Sequence, residues 1–141
     1  MGDQIIHASC VAVYGKAVLI VGKSGSGKSS LALHLMAYGA ELVADDRTQL
    51  KAVGHQIIAK APTAISGLIE ARGVGILNAN ADAQAEVVCV VDMDEVEQDR
   101  IPVMRHQLLL GCEIPVLHKC DSPTFPAALL QYLKGGRQDT I

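Results

Sequence analysis

Five apolar residues, Ala17-Val18-Leu19-Ile20-Val21, lead into a glycine-rich turn, and an amphipathic stretch runs from Lys28 to Tyr38. An unbroken run of this length, rich in β-branched types, predicts a buried strand. Beyond the turn, Leu31, Ala32, Leu35 and Met36 recur at helical spacing, which predicts a helix with one apolar face and Gly39 as its C-terminal cap. The rest of the chain is organised around this strand, turn and helix.

Upstream, Gln4 to Tyr14 reads as a strand of mixed burial ending at Gly15, close enough to the next run to predict a hairpin and a sheet that is not purely parallel. Downstream, Glu41-Leu42-Val43-Ala44 predicts a short strand, and Thr48–Val53 with His55–Lys60, split by Gly54, a second hairpin. Ile65 to Ile69 fits no single element, Gly73 to Leu77 resumes an extended run, and Asn78 to Ala85 is small and polar, as a loop is. Ala85 to Met93 is the clearest buried strand of the second half. The acid-rich segment Asp92 to Arg100 reads as a solvated connector, and Leu108 to Leu110 as a short strand or helical turn. Glu113 to Lys119 predicts a strand in which Pro115 points to an edge position. Pro126 to Lys134 predicts a terminal helix with Leu129, Leu130 and Leu133 on one side. Residues 1–134 thus form a single domain, and 135–141 a flexible tail.

The turn itself carries chemistry. Gly22-Lys23-Ser24-Gly25-Ser26-Gly27-Lys28-Ser29 fits G-x-x-x-x-G-K-[ST], between a strand and a helix as that motif requires. Its glycines let the backbone curl with N–H groups inward around a polyphosphate, and the helix start adds a positive end. Lys28 can neutralise the β- and γ-phosphates, and the Ser29 hydroxyl can complete a Mg²⁺ shell. An ordinary Gly/Ser turn is the alternative, and the flanking elements argue against it.

Composition narrows the partners. At 141 residues, half of them hydrophobic, the chain can bury a real core. Three tyrosines, one phenylalanine and a net charge of -3 argue against a nucleic-acid surface, which needs stacking platforms and basic residues. No run is long enough for a membrane span, and the start, Met1-Gly2-Asp3-Gln4, lacks a basic signal-peptide region, so a cytoplasmic protein is expected. Cys10, Cys89, Cys112 and Cys120 form no C-x-x-C pair, and Cys112, His118 and Cys120 match no common zinc spacing. Four reduced thiols are expected, with Cys10 and Cys89 buried inside apolar runs.

Asp45 and Asp46 end the strand that returns after the helix, beside the loop. Successive strand residues face opposite ways, so only one carboxylate points at the phosphates unless the chain turns there. Such a carboxylate can hold Mg²⁺ through water or accept a hydroxyl proton, whereas an exposed Asp pair partnered by Arg47 is the structural alternative. Glu70 and Arg72, two apart, share a face if extended and can pair with each other or serve a metal and a phosphate. His7, alone in an apolar run, reads as structural by pattern.

Together these residues resemble the catalytic domain of bacterial HPr kinase/phosphorylase, which phosphorylates a serine of the phosphocarrier protein HPr. The resemblance rests on His7, the Gly22–Ser29 loop, Leu42-Val43-Ala44-Asp45-Asp46 and Leu68-Ile69-Glu70-Ala71-Arg72-Gly73-Val74-Gly75-Ile76. Asp99-Arg100 and Gly111-Cys112-Glu113-Ile114-Pro115 extend it over nearly the whole chain. It implies an α/β phosphate-loop domain with a mixed central sheet, like that of phosphoenolpyruvate carboxykinase. It implies ATP and Mg²⁺ as cofactors, Lys28 on the phosphates, and Ser29 and Glu70 as metal ligands. Asp46 matches the proton acceptor for phosphorylation and the donor for the reverse step, and His7 and Arg100 match active-site positions. Family members are commonly hexameric, so a homo-oligomer is implied.

Two departures stand out. The match begins within the first ten residues, so a short form lacking the family's N-terminal domain is expected. The proline- and arginine-rich element associated with dephosphorylation is replaced by His118-Lys119-Cys120-Asp121-Ser122-Pro123, so phosphorolysis is expected to be weak. The alternatives are a phosphate-loop kinase or ATPase with another acceptor, and a nucleotide-sensing regulator without turnover. An intact Lys28, Ser29, Asp46 and Glu70 set disfavours the regulator, which needs no proton acceptor.

Overall fold

The computed structural model describes residues 3–139; Met1 and Gly2 at the start of the chain, and Thr140 and Ile141 of the expected tail, lie outside the described residues. Ten strands and two α-helices follow one another: β1 (Gln4–Val13), β2 (Lys16–Val21), α1 (Lys28–Ala37), β3 (Glu41–Ala44), β4 (Arg47–Val53), β5 (Gln56–Lys60), β6 (Leu68–Ala71), β7 (Gly75–Asn78), β8 (Ala85–Val96), β9 (Arg105–Leu109), β10 (Cys112–Lys119) and α2 (Phe125–Gly135). A short 3₁₀ turn, Thr63–Ile65, precedes β6, and residues 136–139 carry no regular secondary structure.

Eight strands make one mixed sheet. β1 pairs antiparallel with β2, β4 with β5, and β9 with β10, so the two predicted hairpins are present and a third joins them. Tyr14-Gly15 and Leu110-Gly111 both take positive φ at the two central turn positions, the twist that suits a tight hairpin. β2 and β8 run parallel, Leu19 beside Val90 and Val21 beside Asp92. That pairing closes β2, β1, β4, β5 and β8 into a ring, from whose β8 side β10 and then β9 extend.

Alternation along the strands separates two cores. Ala8, Cys10, Leu19, Leu50, Ile57 and Val87 pack in one cluster. Val11, Val18, Ile20, Cys89 and Val91 form the other, against Leu31 and Leu35 of α1 and Leu129 and Leu133 of α2. Val87 and Val90, three apart, share a cluster because the β2–β8 register shifts between them, a bulge that reverses the alternation. α1 ends as expected at Gly39: its N–H donates to Met36 O at 3.0 Å, and Ala40 N–H to Leu35 O at 3.0 Å, the paired bonds of a Schellman motif.

Two expectations fail. The acid-rich segment is no connector at its start: β8 continues to Val96, because backbone pairing with β2 through Asp92 and with β10 up to Val96 outweighs the polar composition. β10 is also not an edge strand, since β8 and β9 flank it. Pro115 is tolerated because the register with β8 begins only at Val116, so its missing N–H costs no rung there. β9 is the edge, and Arg105 at its start donates to Glu97 at 2.7 Å, which holds the Glu97 carboxyl below the usual carboxylate range.

Cys10 and Cys89 are buried as predicted, while Cys112 and Cys120 are half-buried, and all four thiols are free. Burial pushes the Cys89 thiol up to about 12 and the Cys10 thiol higher still, with the neighbouring Cys89 adding to the second effect. Native protein at pH 8 is therefore expected to react with a thiol reagent at Cys112 and Cys120 first. Cys10 and Cys89 should modify only on unfolding, which peptide mapping after timed labelling checks.

Candidate active site

Glycine conformations shape the loop between β2 and α1. Gly22 has φ 147°, and a Cβ there would lie 2.6 Å from Ser26 Oγ and 3.1 Å from Met93 Cβ. Gly27, at φ 99°, is the helix N-cap, and no side chain caps α1. The first-turn N–H groups thus have no side-chain cap, the condition that anion binding at a helix start requires. Lys28 is buried, and its ammonium donates to Gly22 O at 2.8 Å and Lys23 O at 3.0 Å, two acceptors for three donors. Asp94 at the end of β8 braces the loop from outside, its carboxylate accepting from Lys23 N–H at 3.1 Å.

Asp45 and Asp46 follow β3, and the chain does turn there. Asp46 adopts φ 66°, in the left-handed region that aspartate and asparagine tolerate better than most residues. The turn breaks strand alternation, so the neighbouring carboxylates border one cavity in different surroundings. Asp45 is buried and accepts three hydrogen bonds: from Ser29 Oγ at 2.7 Å, Ser9 Oγ at 2.9 Å and Glu70 N–H at 3.0 Å. Asp46 is exposed, and its Oδ1 accepts from His7 Nε2 at 2.7 Å. Among the described residues Arg47 forms no ion pair with either carboxylate, and His7 is the partner of Asp46.

A cavity of about 300 Å³ gathers the predicted residues: Ser24, Gly25, Gly27, Lys28 and Ser29 of the loop and helix, with His7, Asp46, Glu70 and Arg72. β6 and β7 form a separate two-stranded hairpin that carries Glu70 and Arg72 to the loop. Asp45, Asp46, Ser29 and Glu70 also border an adjoining cavity. Glu70 and Arg72 form no ion pair with each other, the alternative left open by their spacing. Gly22, Lys23 and Ser26 shape the loop without lining the cavity, and Arg100, in the exposed segment between β8 and β9, is not among its lining residues either.

Ser9 and Asp94 were not singled out by the sequence. A signal for Ser9 exists: it lies two residues after His7 on a strand, hence on the same face, and is a polar residue among apolar ones. Asp94 was hidden in the stretch taken for a connector. Among the described residues no cluster of three His, Cys, Asp or Glu forms a metal cage, and Cys112, His118 and Cys120 make none.

The geometry separates two variants by stability. Asp45→Ala strands two hydroxyls and one N–H and is expected to cost about 1–3 kcal/mol. Asp46→Asn keeps a residue that accepts positive φ at an exposed site and should shift stability by less than about 0.5 kcal/mol. Urea unfolding of both variants checks this order.

Comparison with known proteins places this geometry. The family model for the HPr Serine kinase C-terminal domain matches residues 2–107. HPr kinase/phosphorylase of Alkaliphilus metalliredigens is 34% identical over 122 residues, covering 77% of this chain and 40% of that protein. The Brevibacillus brevis protein of the same name is 49% identical over 74 residues, covering 52% of this chain and 24% of that protein. The chain thus spans two fifths or less of the curated relatives it matches. The structure of the Hpr(Ser) kinase/phosphatase from Coxiella burnetii superposes with a TM-score of 0.77 at 26% identity, over 93% of this chain and 94% of that one.

Proposed function

The chain belongs to the HPr Serine kinase C-terminal domain family, and from that premise we propose that it transfers the γ-phosphoryl group of ATP to a serine of HPr or a closely related phosphocarrier protein. The observation that carries the reading is the junction of two halves in one cavity: an uncapped phosphate loop with its lysine, and an exposed carboxylate held by a histidine. The names of the relatives, HPr kinase/phosphorylase, support the acceptor.

In the proposed reaction the loop N–H groups and Lys28 hold the phosphates and stabilise the charge that spreads over the transferring group. The serine hydroxyl attacks the γ-phosphorus while its proton passes to the Asp46 carboxylate. The bond from that phosphorus to the β–γ bridging oxygen breaks, and ADP leaves with the electron pair. His7 binds Oδ1 of Asp46, so Oδ2 is the oxygen left to take the proton. Arg72 brings a guanidinium to the same cavity, a forked partner for phosphate oxygens.

Mg²⁺ is proposed as the metal, and the donor set fits it. Ser29, Glu70 and Asp45 offer oxygen only, and Mg²⁺ characteristically takes one or two carboxylates together with waters and phosphate oxygens. Ser29 and Glu70 are assigned as ligands, with Asp45 aligning the Ser29 hydroxyl through its 2.7 Å bond. When bound, the ion would neutralise phosphate charge. No helix among the described residues is long and apolar enough to cross a membrane.

The test is incubation with labelled ATP, Mg²⁺ and purified HPr, then mapping of the modified serine. Wild type should label HPr, and Lys28→Ala should not. Asp46→Asn should retain ATP binding but lose on the order of 10²-fold in rate, the scale of a lost general base. Binding of ATP without transfer to HPr would leave the sensing alternative standing. Wild-type rates in Asp46→Asn would move the proton acceptor elsewhere, with His7 the next candidate.

A further inference from the structure

The phosphate loop has a second cavity on its other flank, of about 550 Å³, within the ~300–1,000 Å³ typical of small-molecule sites. Gly27 and Ser30 line both cavities, so the loop forms the ridge between them. One wall is α1, where Ser30, His34 and Tyr38 follow at intervals of four and hence on one face. Asp121, in the turn from β10 into α2, and Phe125, the first residue of α2, also line it. Of the four aromatic residues in the chain, two, Tyr38 and Phe125, line this cavity.

Orientation follows from the site already described. A triphosphate over the loop must place its terminal phosphate in the cavity of Asp46 for transfer to occur. Its other end then emerges on the opposite side of the Gly27–Ser30 ridge. We propose that this second cavity takes the purine nucleoside of the bound nucleotide, an inference that rests on the nucleotide reading above. The base lies against the Tyr38 side of α1, facing Phe125, since every base offers a π-face for such stacking. Asp121, an acceptor only, meets the exocyclic amine of adenine and disfavours a base with a carbonyl oxygen there. Tyr38 is 54% exposed and the Asp121 side chain 69%, so either can be replaced without opening the core.

Calorimetric titration of the whole chain with ATP, ITP and inorganic tripolyphosphate, each with Mg²⁺, tests this. Wild type should bind ATP at least about tenfold more tightly than tripolyphosphate, the scale of one stacked base. Tyr38→Ala should shrink that gap by about fivefold while leaving tripolyphosphate affinity within about twofold. Asp121→Asn should abolish the preference for ATP over ITP, because an amide can present either its oxygen or its NH₂. Equal affinity of wild type for ATP and tripolyphosphate overturns the inference and leaves phosphate binding intact. So does loss of both ligands together in Tyr38→Ala. Binding of neither ligand by wild type overturns the nucleotide reading and this inference with it.

Discussion

One buried carboxylate joins the parts of the site. Asp45 sits where β3 ends, and its two oxygens receive hydrogen bonds from β1 through Ser9, from α1 through Ser29 and from β6 through Glu70. A charge out of water is tolerable only when donors surround it, so each of these elements is held in place by the requirement to solvate Asp45. The Ser29 hydroxyl is therefore oriented by the protein itself. Ser9 adds a further constraint, because its oxygen also receives the Asp46 N–H at 3.3 Å. The buried aspartate and its exposed neighbour are thus positioned through the same serine.

The neighbouring carboxylate acquires different surroundings through the backbone alone. Two identical side chains, adjacent in sequence just after β3, differ because only the second occupies a left-handed backbone position. The first is enclosed by three donors. The second faces solvent with a single histidine partner, the arrangement on which its proposed role as proton acceptor rests.

Much of this was legible in the sequence because the strongest signals are local. The loop, its flanking strand and helix, the hairpin glycines Gly15 and Gly54 and the cap at Gly39 all depend on residues within a few positions of one another. Asp46 and Glu70 also stand out in the sequence, and the structure brings both to one cavity with Lys28, a closeness that spacing only suggests. What the sequence does not reveal is non-local. Asp92 to Val96 looked like a solvated linker because nothing in its composition reveals that β2 and β10 supply pairing partners. Pro115 suggested an edge because the rule assumes a full ladder on both sides, whereas the β10–β8 register begins one residue later. Ser9 went unnoticed because a single hydroxyl in an apolar run becomes informative only once Asp45 is known to face it.

The ring closed by β2 and β8 has a consequence for how the protein comes into being. The strand that launches the phosphate loop lies near the start of the chain, and the parallel strand completing its support, with Asp94 at its end, lies beyond the midpoint. Joining them costs the entropy of closing a long intervening segment, and such pairings form late and slowly. On the ribosome, β1 and β2 can zip as a hairpin while β8 is still unsynthesised. The nascent loop then passes through a period with its flank unpaired, in which its apolar strand is an edge open to chaperones or to other chains.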